Sequence, residues 1–262
     1  MELTDVLSKL TTNIGDHLDQ ELDMSKIISS ELDGIINYNM WLETIELQKQ
    51  FNNSVASDWI TDIDNEKYDY WMAILDEANE VLNSRHWKWW KDSSKQGEVD
   101  WTNVQVEMVD LFLFIMSLNI QNGSTDMLFS HLINHQMNTD QSQFEQDPDQ
   151  FFNDFWNKFL MAVQMKNLPL VTSSVVEFWF KLGLDVNDLF IQYRIKSALN
   201  DIRQEFGYND GNYIKHWLVP SGEKLEDNII AKQLVFGIEL DENTIENMKS
   251  ILRTYYLKYV AV

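Results

Sequence analysis

The chain has 262 residues, 44% of them hydrophobic, no cysteine, and 42 acidic against 20 basic side chains, for a formal charge of −22. Such length and apolar content suffice for one large domain with a packed core, and the missing cysteines exclude disulfides and thiolate metal sites and suit a reducing cytoplasm. The charge repels a phosphodiester backbone and an anionic membrane surface alike, which leaves a small anionic ligand, met by metal ions and a local group of cations, as the anionic partner to look for.

Three prolines, nine glycines and apolar residues recurring at helical spacing predict an all-α chain. Helices are expected over roughly 3–20, 25–53, 66–84, 102–120, 126–135, 149–165, 173–182, 186–205 and 241–258. No strand-period run with hairpin signals stands out, and there is no internal repeat. Residues 1–40 read as a helical extension ahead of a 41–262 domain. The opening Met1-Glu2-Leu3-Thr4-Asp5 lacks the pattern of a secretory signal. The segment 136–150, rich in Gln, Asn and Asp, reads as an exposed connection, and Asn209 to Asn212, with glycines nearby, as a turn.

On the helix expected over 66–84, Trp71, Ile74, Leu75, Ala78, Val81 and Leu82 form one broad apolar face. Glu77 and Glu80 fall together on a neighbouring face, beside the small residues Ala73 and Ser84. Small side chains next to two carboxylates leave room for a ligand, although Glu-x-x-Glu is also common on solvated helices.

The next helix is apolar on nearly every side, from Val104 through Met116, except at Glu107 and Asp110. The longest apolar stretch, Val104 to Leu118, is expected to be too short and too charged to span a bilayer. A helix of this kind is buried, and burying unpaired carboxylates costs several kcal/mol each, so the pair must be protonated, matched with cations or bound to metal. Its i, i+3 spacing repeats that of Glu77 and Glu80. Four acids from two facing helices make an all-oxygen site suited to Mg2+ or Mn2+, with zinc the poorer fit; a buried acid-to-Arg/Lys network is the alternative.

Between these helices lies His86-Trp87-Lys88-Trp89-Trp90-Lys91, where indoles can stack on a nucleobase or pack beneath a loop. Further on, the helix 186–205 carries Tyr193, Lys196, Asn200 and Arg203 at i, i+3, i+7 and i+10, within about a quarter of the helix circumference. This cationic stripe continues into Gly207-Tyr208-Asn209-Asp210-Gly211-Asn212-Tyr213-Ile214-Lys215. Guanidinium, ammonium and amide groups in one row suit a polyphosphate chain; an ordinary solvated face paired with acids is the alternative.

The ordered set of motifs resembles the dimeric dUTPase family within the all-α NTP pyrophosphatases. The resemblance runs from Leu47-Gln48-Lys49-Gln50-Phe51-Asn52 through Glu77-Ala78-Asn79-Glu80, Trp87-Lys88-Trp89-Trp90-Lys91 and Glu107-Met108-Val109-Asp110. It resumes at Lys196-Ser197-Ala198-Leu199-Asn200-Asp201-Ile202-Arg203-Gln204, Gly207-Tyr208, Gly211, Tyr213, Lys215, Trp217 and Glu226-Asp227-Asn228. It implies a multi-helix bundle in which Glu77, Glu80, Glu107 and Asp110 are the catalytic and metal-binding acids. Lys196, Asn200, Arg203, Tyr208 and Lys215 would bind phosphate, and Gln48, Asn52 and Trp89 would surround the base. It also implies a homodimer that closes over its nucleotide. Family members often have a histidine three residues after the last metal-binding aspartate, where this chain has Leu113.

The function that follows is Mg2+-dependent hydrolysis of dUTP to dUMP and pyrophosphate, with Mn2+ as a substitute ion and dUDP as a further substrate. Two rivals remain. One is a pyrophosphatase for another base, such as dCTP; the other is a non-catalytic module that senses nucleotide or metal.

Overall fold

The structure is a computed structural model that describes residues 24–91, 94, 98–138, 148–235 and 244–260. The chain divides into two units, Met1–Asn39 and Met40–Val262. The described part of the first, residues 24–39, is helical. The helix expected over 3–20 lies outside the described residues.

Nine helices lie among the described residues: α1 (Met24–Val55), α2 (Tyr70–Asn83), α3 (Trp101–Gln121), α4 (Thr125–Asn138), α5 (Pro148–Gln164), α6 (Leu168–Lys181), α7 (Val186–Glu205), α8 (Asp227–Leu234) and α9 (Thr244–Tyr259). A short antiparallel pair, β1 (His216–Leu218) and β2 (Lys224–Glu226), precedes α8 with Trp217 opposite Leu225. The fold is all-α apart from this hairpin.

Side-chain caps explain several helix starts. Asp69 accepts the Met72 N–H at 3.0 Å and Asp100 that of Asn103 at 3.0 Å, which satisfies donors that have no partner within the helix. Asp185 and Asp188 form a reciprocal capping box at the head of α7. The expected start at 66 is corrected to Tyr70, because the Asp62 carboxylate takes the backbone N–H groups of Lys67 and Tyr68 and holds that stretch as a loop. The start expected at 173 moves back to Leu168: Asn167 accepts the Leu170 N–H at 3.1 Å, and Pro169 sits in the first turn, where its missing N–H costs nothing. The β hairpin and α8 are absent from the sequence expectation. Three-residue strands are too short to show a period, and α8 has only eight residues.

The core surrounds α3. Val104, Leu111, Ile115 and Met116 have no exposure, and the helix packs against α2, α4, α6 and α7. At 21 residues it is longer than the Val104–Leu118 stretch, and by length and composition alone it would cross a membrane. Here it meets other helices, and burying each large apolar side chain contributes about 1.5–3 kcal/mol.

A second apolar cluster joins Ala198, Leu199 and Ile202 of α7 to Trp217, to Ile230 and Ala231 of α8, and to Met248, Leu252 and Tyr256 of α9. The first half of α7, through Leu189, Phe190 and Tyr193, belongs to the cluster around α3. Because α7 is anchored in both clusters, the polar stripe it carries is fixed between them.

Candidate active site

The register of α2 against α3 assembles the acidic pairs. At the end of α2 the Ser84 carbonyl accepts the Asp100 N–H at 2.9 Å, and the Asn103 side chain donates to Ser84 Oγ at 2.8 Å. From that fixed point one helix turn back along α2 reaches Glu80, and one turn forward along α3 reaches Glu107; a further turn brings Glu77 to Asp110. Carboxylate oxygens of Glu77, Glu107 and Asp110 accordingly lie within 4.8 Å of one another. Glu80 is exposed, one turn from Glu77, and its charge adds to the proton affinity of Glu107.

Crowding shows in the proton affinities. Glu77 is pushed up to about 8, first by burial and then by Asp110, Glu80 and Glu107, with Lys196 opposing. Glu107 is pushed up to about 7 by burial and by Asp110 and Glu80. Two glutamates that resist ionisation, packed against the Asp110 carboxylate, fit a group that would bring positive charge. Asp110 Oδ1 is buried without a hydrogen-bond partner, an orphan lone pair in an all-oxygen cluster of the kind that holds Mg2+ or Mn2+.

Helix α7 brings the cations. Lys196, buried, donates to Asp110 Oδ2 at 2.6 Å and to Asn228 Oδ1 at 3.1 Å. Of its three N–H groups one remains for a ligand. Two turns on, Arg203 grips Asp227 in a bidentate pair, Nε to Oδ2 at 2.8 Å and Nη2 to Oδ1 at 2.9 Å, while its Nη1 reaches Asn200 Oδ1 at 3.3 Å. Burial opposes the guanidinium charge, but Asp227 more than restores it and Arg203 titrates above its usual range. Asp227 itself has no exposure. Burial works against its charge, yet Arg203 and the Tyr213 hydroxyl at 2.8 Å hold it below the ordinary aspartate value. Trp217 Nε1 in turn donates to the Tyr213 hydroxyl at 3.1 Å.

The stripe is therefore not a solvated face. Tyr193, Lys196 and Asn200 are all buried, and each is bonded to a side chain of the site. Tyr208 is exposed, with the Arg203 guanidinium 5.7 Å from its ring centre. The Lys215 side chain is exposed, and its carbonyl accepts the Asp227 N–H at 2.9 Å.

A separate polar group lies at the other end of the α3 face. Gln48 and Asn52, one turn apart on α1, are buried and bonded to each other and to Ser117 of α3. Ser117 is two turns from Asp110, about 10 Å along the helix axis. Trp89 is exposed in the loop after α2. Its ring meets Trp90 edge-on at 5.7 Å, and among the described residues it makes no hydrogen bond to either amide.

Spacing alone gives no role to Asp227, Tyr193 or Ser117, which hold site side chains in place. Asp227 lies between Glu226 and Asn228 in the run that resembles the family, and Tyr193 heads the stripe on α7. Ser117 follows Asp110 at i+7, and helical spacing from the acids finds it.

The sequence model of the family described as dUTPase matches residues 40–208. That span holds the four acids and every other site residue expected from the sequence except Lys215; Asp227 also lies beyond it. A comparison with curated proteins gives no match.

Proposed function

The chain belongs to the dimeric dUTPase family of all-α nucleotide pyrophosphatases, as the match over residues 40–208 establishes, and from that premise we propose that it hydrolyses dUTP to dUMP and pyrophosphate with Mg2+. Family membership makes the chain an enzyme of the nucleotide pyrophosphatase type. The observation that carries the proposed reaction is the meeting of the acid cluster and the cation stripe at Asp110, whose one oxygen is bonded to Lys196 and whose other is free. A polyphosphate needs both kinds of group side by side.

Glu77, Glu80, Glu107 and Asp110 would hold Mg2+, or Mn2+ in its place. When bound, the ion supplies charge neutralisation on the phosphates and acidity to the attacking water. Water attacks the triphosphate in line: a P–O bond forms to the attacked phosphorus as the bridge between the α and β phosphates breaks, and dUMP and pyrophosphate separate. Glu77 or Glu80 accepts the proton, and a carboxylate raised towards neutrality, as Glu77 is, suits that task. Lys196, Arg203 and Lys215 offset charge on the leaving phosphates, with Asn200 and Tyr208 completing the set. Gln48 and Asn52 face the base, and Trp89 stacks on it.

The enzyme acts as a cytoplasmic homodimer, and residues 1–40 form an extension outside the catalytic domain 41–262. Pyrophosphate release from dUTP, dCTP, dTTP and UTP, and orthophosphate release from dUDP, with Mg2+ and with chelator, tests the assignment. Preference for dUTP is expected. Equal rates with dCTP overturn the base assignment, and no release from any nucleotide points to a non-catalytic sensor.

A further inference from the structure

Four side chains from three helices form one hydrogen-bonded chain in which every donor has a direction. Tyr193 of α7 donates its hydroxyl proton to Gln48 Oε1. Gln48 Nε2 donates to Asn52 Oδ1 at 2.8 Å and to Ser117 Oγ at 3.0 Å. Asn52 Nδ2 donates to Ser117 Oγ at 2.9 Å, and Ser117 Oγ donates to the Leu113 carbonyl at 3.0 Å. The hydroxyl of Tyr70 also lies in hydrogen-bond reach of Ser117.

An amide is nearly symmetric in shape, so its polarity is set by its neighbours. Tyr193 is the neighbour that decides here. It is 1% exposed, and among the described residues Gln48 is the acceptor its hydroxyl meets. Were Gln48 reversed, its NH2 would face the phenol, and a buried O–H would be left without an acceptor. The Gln48 oxygen must therefore face Tyr193. It follows that the Gln48 NH2 faces Asn52 and Ser117, that the Asn52 oxygen faces Gln48, and that the Asn52 NH2 faces Ser117.

Valence then shows what is left for a ligand. Both N–H groups of Gln48 are used. Asn52, at 8% exposure, retains one N–H and one lone pair of its carbonyl oxygen, and neither can exchange places with the other while the chain is intact. A uracil ring presents an acceptor at O4 beside the N3 donor; cytosine in the same pose presents the reverse. A fixed amide pairs with one of the two, and a turning amide accepts both.

On the reading that Gln48 and Asn52 face the base, we propose that Tyr193 is a specificity-determining positioning residue, which sets the polarity of the Gln48–Asn52 pair from 145 residues away in sequence and so makes Asn52 select uracil over cytosine. Tyr193 touches no reacting atom. Its effect is on the choice of base and not on the chemical step, and that separates it from the acids and cations of the same site.

The test compares wild type with Tyr193→Phe, which deletes one hydroxyl and keeps the ring packed against Phe112, and with Ser117→Ala, which removes the acceptor both NH2 groups face. Initial rates of pyrophosphate release with Mg2+ give kcat and KM for dUTP and dCTP, and thermal unfolding reports on folding. The ratio of kcat/KM for dUTP to that for dCTP is expected to fall by about tenfold or more in Tyr193→Phe and by a smaller factor in Ser117→Ala, while kcat on saturating dUTP stays within a few-fold of wild type. Should Tyr193→Phe not fold, Ser117→Ala decides alone. An unchanged ratio in a folded variant overturns the proposal, as does a fall in kcat with the ratio preserved. If wild type releases pyrophosphate from none of the nucleotides, it is the pyrophosphatase reading that fails. Calorimetric binding of dUMP and dCMP to the same proteins then reads the amide lock by itself: a preference in wild type that shrinks in the variants supports it, and equal binding in wild type overturns it.

Discussion

Lys196 Nζ lies 2.6 Å from Asp110 Oδ2, so the cation stripe of α7 and the acid cluster of α2 and α3 are bonded to each other before any ligand arrives. Lys196 partly neutralises the cluster, lowering the proton affinity of both Glu77 and Glu107. It thereby keeps four acids close enough to receive a cation.

Replacing Lys196 by Ala is expected to raise KM for dUTP by about 10- to 100-fold, since a charge-assisted hydrogen bond contributes roughly 1.5–3 kcal/mol. Affinity for dUMP changes far less, because the stripe serves the phosphates beyond the first. Calorimetry with dUMP and a non-hydrolysable triphosphate measures both. Equal weakening for the two ligands would remove Lys196 from the phosphate side.

Glu80→Gln is expected to abolish turnover, at a cost on the order of several kcal/mol in the barrier, through loss of a ligand charge and of a base. Glu80 is exposed, so the fold should be unaffected. Single-turnover pyrophosphate release at saturating Mg2+ checks this, and a rate near that of wild type would exclude Glu80 from the site.

Proton uptake offers a test that does not depend on activity. The folded acids hold protons more tightly than ordinary glutamates do, Glu77 to about 8 and Glu107 to about 7. Between the ordinary value near 4.5 and about 8 the metal-free native state therefore binds more protons than the unfolded chain, and its stability falls as pH rises through that window. Unfolding midpoints in chelator should drop from pH 5.5 to pH 8.5, while helical circular dichroism persists. Mg2+ must displace these protons, so calorimetry at pH 7 in buffers of different ionisation enthalpy should show release of about one proton per chain. No release at pH 7 would show that the ion binds elsewhere.

Asp227 carries the opposite dependence. Its folded value lies below the ordinary 3.8, so its contribution is present above that pH and is lost as pH falls through the folded value. Asp227→Ala leaves the largely buried Arg203 guanidinium without its anion, and breaking a buried pair in this way costs about 3–5 kcal/mol. Urea unfolding at pH 7 should register the loss. Stability within about 0.5 kcal/mol of wild type would mean that Arg203 readily finds another partner or water.

The parts of the site that were legible in the sequence are those set by spacing within one helix. Glu77 with Glu80, Glu107 with Asp110, and Tyr193 with Lys196, Asn200 and Arg203 each share a face by helical geometry alone, and a helix as apolar as α3 had to be buried. Spacing does not reveal which partner a buried polar group meets across the fold. Arg203 reads as a free phosphate-binding cation, yet it is bonded to Asp227, which an eight-residue helix and a hairpin of three-residue strands deliver from beyond position 215. The amides of Gln48 and Asn52 were legible as residues but not in their polarity, which depends on a tyrosine more than half the chain away.

The Arg203–Asp227 pair has a consequence for where this protein can be cut. The family match ends at 208, and a fragment trimmed to that limit would keep all four acids, both amides and the whole of α7. It would also keep the guanidinium while discarding the carboxylate, tyrosine and tryptophan that hold it, and would strip Ala198, Leu199 and Ile202 of the apolar surface formed by Trp217, α8 and α9. The smallest autonomous piece of the molecule is thus set by an ion pair and the apolar cluster beside it rather than by sequence likeness, and its boundary on that side falls past α9.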